Sequence, residues 1–185
     1  MTRSSNVAIR KDQVLKGLAA GGIGGLVAAW IMGQFQSLWS KLSQRYKEDP
    51  QASSPSQEQR ESQQNGQDEA ATVKTAVAVS EIILHHEPTP REKQVAGPLV
   101  HYVYGTLIGG AYGMLAETKP VITIGAGTGY GTVAWLLGDE MMVPLLRLSK
   151  PPTQYPLSTH IYALASHLVY GLSLEGVRRA VRSAM

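Results

Sequence analysis

The sequence predicts an all-α polytopic membrane protein with four transmembrane helices and one interfacial amphipathic helix. Three observations predict it. Asp, Glu, Lys and Arg are absent from four long runs, residues 17–40, 94–116, 120–138 and 151–174. A helix rises ~1.5 Å per residue, so about 20 largely apolar residues cross the ~30 Å hydrocarbon layer, and each run is close to that length. Basic residues flank the runs, at Arg10, Lys11 and Lys16, at Lys41, Arg45 and Lys47, and at Arg178, Arg179 and Arg182. Small residues recur inside them every fourth position: Gly17, Gly21, Gly25, Ala29 and Gly33 in the first, and Gly105, Gly109 and Gly113 in the second.

Composition supports this and excludes alternatives. The chain has 185 residues, the size of one ordinary domain. Charged residues make up 17%, below the usual share of about 25%. The mean hydropathy of −0.10 looks soluble, but a very polar stretch between the first and second runs depresses it. With Cys 0, disulfides, thiolate iron–sulfur ligation, c-type haem attachment and zinc fingers are excluded. The net charge of +3 is read as membrane topology. The basic residues form no patch with interleaved aromatics, so no nucleic-acid partner is expected.

Residues 1–16 form a basic tail and 17–40 the first transmembrane helix. A secretory signal also begins basic and turns apolar. This run is longer than a signal's apolar core and ends in Gln34-Phe35-Gln36-Ser37-Leu38-Trp39, with no small-x-small cleavage site and no twin-Arg pair. An uncleaved span with Trp39 at the interface is expected.

Residues 41–69 are expected to be a disordered polar linker, because 46–69 hold almost nothing apolar to bury. Residues 70–96 are read as an amphipathic interfacial helix and loop. Val73, Ala76, Val77, Ser80, Ile83 and Leu84 fall at helical spacing, with Lys74 and Glu81 off that stripe. His85-His86-Glu87-Pro88-Thr89-Pro90 ends it.

Residues 97–182 are expected to be a three-helix transmembrane region. The second span carries Pro98 in its first turn, where proline is tolerated. The third starts near Pro120; Gly138-Asp139-Glu140 interrupts its end, and Met141 to Leu148 continues apolar apart from Arg147. The fourth starts near Pro156 and ends at Glu175 to Arg179. Short connections make neighbouring helices antiparallel, and an even number of spans puts both termini on one side. Lys and Arg are nearly balanced across the membrane, and several on the linker side lie far from a span end. The termini are therefore placed in the cytoplasm of a bacterial inner membrane.

Helices in lipid are held by close backbone approach more than by hydrophobic drive. Gly21, Gly25, Gly105, Gly109 and Gly113, with Gly125/Gly129 and Gly127/Gly131 in the third span, are expected to make grooves for neighbouring helices within one chain. Homo-oligomerisation is the second use of the same ladders. In water such a glycine costs about 1 kcal/mol against Ala. There is also an internal echo: His101-Tyr102-Val103-Tyr104-Gly105 with Gly110, and His167-Leu168-Val169-Tyr170-Gly171 with Gly176, both read H-x-V-Y-G-x4-G. It is either coincidence or a duplicated helix pair.

Several segments resemble a known family. They are Val79-Ser80-Glu81, Thr89-Pro90-Arg91-Glu92-Lys93, Ala96-Gly97-Pro98-Leu99-Val100-His101-Tyr102 and Gly110-Ala111-Tyr112-Gly113-Met114-Leu115-Ala116-Glu117. Trp135-Leu136-Leu137-Gly138-Asp139-Glu140 with Val143-Pro144 belongs with them, as does His167-Leu168-Val169-Tyr170-Gly171 with Arg178-Arg179. Together they resemble the YagU-like family of small bacterial inner-membrane proteins, a family without an established biochemical activity. The likeness covers about residues 70–182. It implies a multi-pass bacterial membrane protein and transfers no catalytic residue.

Ionisable residues inside spans are functional candidates by default. They are His101 in span two, Asp139 and Glu140 near the end of span three, and His160 and His167 in span four. His160 and His167 are seven positions apart and share a helix face. Three readings compete. Imidazoles and carboxylates can fix packing across helices, with Tyr104, Tyr112, Tyr130 and Tyr170 joining, and this reading is preferred. His101, His167 and Asp139 or Glu140 can bind a divalent metal, or the two His a haem, although no H-E-x-x-H or E-x-x-H spacing supports it. Or the set relays protons or gates an ion path. Glu175 has Arg178 and Arg179 at i+3 and i+4, a helix-end ion pair.

Residues 125–131 fail as G-x-G-x-x-G, and Thr128-Gly129-Tyr130-Gly131 fails as a potassium filter. A structural or regulatory membrane component in contact with the lipid bilayer is expected, and no cofactor. A small ion, proton or metal transporter is the alternative. A membrane enzyme ranks third, since no nucleophile–base spacing is visible.

Overall fold

The computed structural model describes residues 11–47, 73–75, 77 and 89–185, and among these the chain is helical, with no strand. Helix α1 (Lys11–Lys47) extends the first uncharged run at both ends. Asp12 in its first turn suits the positive end of the helix dipole. Residues 41–47, expected to open the linker, are thus its last turns. The rest of that linker lies outside the described residues. So does most of the expected interfacial helix, of which Val73, Lys74, Thr75 and Val77 are helical.

Helix α2 (Pro90–Thr118) begins well before residue 97, so Pro98 lies in its interior rather than in its first turn. A 3₁₀ turn (Pro120–Thr123) follows. The third expected span then departs from the sequence reading. Gly125, Ala126 and Gly127 take φ of 75°, 53° and 87°, and regular helix begins only at α3 (Thr128–Trp135). Gly125, Ala126 and Gly127 form a left-handed turn, and the pair Gly125/Gly129 makes no groove, since a Cβ on Gly129 meets nothing within 4 Å. Gly127 and Gly131 do make the expected close approach, to Gly171 and His167. A Cβ on Gly127 would collide with the Gly171 carbonyl and stand 3.0 Å from Glu175 Cβ.

From Trp135 the helix continues without a break into a π-helical stretch (Leu136–Met142) and then α4 (Val143–Leu145). Pro144 explains the widening. It has no N–H for the ladder, and its ring would clash with the carbonyl four residues back, at Glu140. An i→i+5 winding opens the ladder there. A second 3₁₀ turn (Pro152–Gln154) leads to α5 (Leu157–Ser183).

The helices pack up-and-down. Gly17, Gly21 and Gly25 of α1 face Gly113, Gly109 and Gly105 of α2, so these two are antiparallel. A Cβ on Gly109 would lie 2.6 Å from Gly25 Cα, and one on Gly21 would lie 2.8 Å from Gly113 Cα. Along α5, α1 again runs antiparallel. Lys16 Nζ donates to the Met185 carbonyl at 3.2 Å, and the Trp39 and Tyr162 rings are 5.9 Å apart. Helix α3 runs antiparallel to α5, with Gly127 and Gly131 against Gly171 and His167.

The echo motif occupies corresponding places in these two pairs. Gly105 meets Gly25 in one pair, and Gly171 meets Gly127 in the other. The two copies stand 66 positions apart. Helices α2 and α5 run parallel, touching at separations of 63 and 65.

The interior is built of small and polar residues: Ala20, Ala28, Ala29, Ala116, Ser166, Tyr112, Tyr162, Tyr170, Met32, Leu174 and the pair Glu175 and Arg178. Large apolar side chains point outward, among them Leu15, Leu26, Trp30, Leu107, Leu137, Leu145, Leu157 and Ile161. Among the described residues one helix, Lys11–Arg45, is long and apolar enough to cross a membrane, a property that core helices and N-terminal signal sequences share. Helices α2 and α5 have the length, 29 and 27 residues, but carry more polar groups. Residues 128–145 are assembled from three shorter pieces.

Candidate functional site

The fold divides the five ionisable candidates. His101 sits on α2 with Nε2 3.2 Å from the Ala29 carbonyl of α1. A carbonyl only accepts, so Nε2 carries the proton and donates it. His101 therefore ties α1 to α2 beside the glycine ladder, and is bonded to backbone rather than to another member of the set.

The other four meet where the π stretch lies on α5. His160 Nδ1 lies 2.6 Å from Glu140 Oε1, and His167 Nδ1 lies 3.6 Å from Asp139 Oδ2. The two histidines share a face because seven residues make two turns. The adjacent acids both reach that face because they lie on the π stretch, where i→i+5 winding turns successive side chains through a smaller angle than an α-helix does. His167 Nδ1 also donates to the Ala163 carbonyl one turn back, at 2.9 Å. His160 Nε2 lies 3.2 Å from the Pro152 carbonyl.

Tyrosine hydroxyls tie the middle of the bundle through backbone. Tyr170 donates to the Gly105 carbonyl and Tyr130 to that of Ile108, each at 2.6 Å. Tyr104 is half exposed.

A second polar cluster lies at the other end. Glu175, only 1% exposed, accepts from Arg178 Nε at 2.7 Å and Nη2 at 3.0 Å, from Arg179 Nε at 2.6 Å and from the Tyr112 hydroxyl at 3.0 Å. Glu117 accepts from Arg182 Nε at 2.8 Å, and Arg182 also donates to Gln13. The cluster binds α1, α2 and α5 together just beyond the fourth uncharged run, which ends at Leu174. Burial pushes the Glu175 carboxyl up, but the hydrogen bonds from Arg178, Arg179 and Tyr112 outweigh it and hold the group below the usual carboxylate range. Helical spacing reveals the Glu175 pairing with Arg178 and Arg179. Tyr112 and Glu117 escape it, because their partners lie on another helix.

Chemically, the carboxylate–imidazole pairs can hold and pass protons. Among the described residues no three His, Asp or Glu side chains gather closely enough for a metal ion. The set of His101, His167 and Asp139 or Glu140 is not assembled, and its two histidines are engaged by carbonyls of different helices.

Fold and site together define an all-α bundle of glycine-packed helix pairs with two carboxylate–imidazole pairs on a π-helical stretch. Residues 55–176 match the model of a family described as "Protein of unknown function (DUF1440)". That is more than half of the 185-residue chain, and the chain belongs to this family. The match takes in both carboxylate–imidazole pairs and Glu175, but neither α1 nor Arg178. No curated protein and no solved structure matches the chain.

Proposed function

We propose that the chain is a multi-pass bacterial inner-membrane protein of four spans, with both termini cytoplasmic, acting as a structural or regulatory membrane component. One observation carries this reading, the inverted distribution of side chains. Leu, Ile, Val and Trp cover the outside, while Ala, Gly, Tyr and an Arg–Glu network fill the inside. Water-facing surfaces seldom expose contiguous apolar area on that scale. Lipid suits it, because helices there associate through small residues and interhelical hydrogen bonds. The likeness of residues 70–182 to the YagU-like family supports the same reading.

Topology mapping tests it. The chain has Cys 0, so each introduced cysteine is unique. Thr118→Cys and Ser183→Cys should react with an impermeant maleimide from the cytoplasmic side, and Ser149→Cys from the opposite side. Reaction of all three from one side, or release of the chain by alkaline carbonate, rejects four spans.

The two carboxylate–imidazole pairs favour a second reading, a proton or ion transporter. Proton flux in proteoliposomes that His167→Gln abolishes would move the conclusion there.

A further inference from the structure

His160 has an acceptor at each end of its ring. Nδ1 stands 2.6 Å from Glu140 Oε1, and Nε2 stands 3.2 Å from the Pro152 carbonyl oxygen. A neutral imidazole has one N–H and one lone pair. The Pro152 carbonyl only accepts, so Nε2 must carry a proton to bond it. The contact with Glu140 then requires another. Either Nδ1 carries it, as imidazolium beside carboxylate, or the Glu140 carboxyl carries it and donates to Nδ1. With neither, one ring nitrogen turns a lone pair toward an acceptor: Nδ1 toward the Glu140 carboxylate if the proton is on Nε2, or Nε2 toward the Pro152 carbonyl if it is on Nδ1, and one of the two contacts is lost as a hydrogen bond. Both permitted arrangements hold one proton more than neutral histidine beside ionised glutamate.

We propose that Glu140, His160 and the Pro152 carbonyl form a binding site for a single proton, and that the bound proton latches the 3₁₀ turn (Pro152–Gln154) onto the π stretch. One proton enters from solution when the turn docks. Without that proton the ring cannot satisfy both neighbours, and the turn is released.

Other charged and titratable groups stand at this end of the bundle. Asp139, paired with His167, is next along the π stretch. Arg147 and Lys150 lie in the segment leading to the turn, with Tyr155 accepting from the Lys150 amide. Lys74 Nζ donates to the Leu148 carbonyl, and Lys41 and Arg45 lie in the last turns of α1. Among the described residues none of these bonds to Glu140 or His160, so the proton is what balances the pair. The site stands on donor and acceptor geometry and does not depend on whether the chain spans a membrane.

The experiment is nitrogen NMR of the full chain in detergent with labelled histidine, the His160 signal being assigned by its loss in His160→Gln. Expected with the turn docked is either doubly protonated His160, or Nε2–H His160 beside a protonated Glu140 seen by carboxyl carbon shift. Neutral His160 beside ionised Glu140 overturns the proposal. Glu140→Gln supplies the isosteric control. Its amide donates to Nδ1 without the extra proton, so His160 should become neutral with the turn still docked. A spin label on Thr153→Cys reads docking. The label should be immobile in the parent and in Glu140→Gln, and mobile with His160→Gln. An equally immobile label in His160→Gln overturns the latch.

Discussion

Glu175 is the most demanding residue in the chain, since a carboxylate so buried needs every donor around it. Arg178, itself buried, supplies a two-point contact, and Arg179 and Tyr112 fill the remaining oxygen positions. Removing one partner of such a pair strands the other, at a cost of about 3–5 kcal/mol. Glu175→Ala should therefore lower the thermal midpoint in detergent by far more than Arg179→Ala, whose side chain is 59% exposed. The pH dependence follows from the lowered carboxyl. A group with a folded pKa below its unfolded one contributes stability that is present above the unfolded value and lost as pH falls through the folded one. The parent should thus lose stability on the acid side, and Glu175→Gln should flatten that limb. Equal acid loss in both would place the source elsewhere. At this scale the sequence is partly legible. Contacts within one helix, such as Glu175 with Arg178, follow from spacing. Contacts between helices, such as Glu140 with His160, depend on how faces are turned. Spacing alone does not fix that across the π stretch.

Between elements, the glycine ladders decide how closely helices approach. Gly21 and Gly25 of α1 and Gly105, Gly109 and Gly113 of α2 leave no room for a side chain on either partner. Gly109→Leu should separate α1 from α2; overpacking of this kind typically costs about 1–3 kcal/mol, occasionally more. Gly33 provides the contrast, as a Cβ there meets nothing within 4 Å. Gly33→Ala should hold or raise the thermal midpoint, by up to about 1 kcal/mol of helix propensity. If both variants melt alike, the ladder does not set the α1–α2 spacing. The ladders of α1 and α2 are legible in sequence because a four-residue period is a property of one helix. The turn through Gly125, Ala126 and Gly127 is not. Gly-Ala-Gly reads equally as ladder or turn, and the contact of Gly127 with Gly171, which leaves no room for a Cβ, is a tertiary one. The π stretch is hidden for a related reason. Pro144 signals a disturbed helix, but not whether the chain answers with a break, a kink or a wider winding.

For the whole molecule, the inverted surface leads to a statement about depth. The run 17–40 has its midpoint between Ala28 and Ala29. Trp30, exposed on that run, lies within about one turn of the midpoint. Trp39 lies nine residues further along, roughly 14 Å at 1.5 Å per residue, which brings it to the edge of a ~30 Å hydrocarbon layer. The sequence has Trp 3 in all, the last being Trp135. Single-tryptophan versions, with the others changed to Phe, can therefore be read separately in vesicles of lipids brominated at different acyl positions. Trp30 should be quenched most by deep bromines and Trp39 most by shallow ones. A soluble core helix gives another result, because it never meets the acyl chains. Both tryptophans would then ignore the bromines and respond to aqueous acrylamide according to exposure, Trp30 the more strongly. The two environments thus reverse the order in which water reaches these side chains. That reversal separates a lipid-facing α1 from one whose apolar surface faces water.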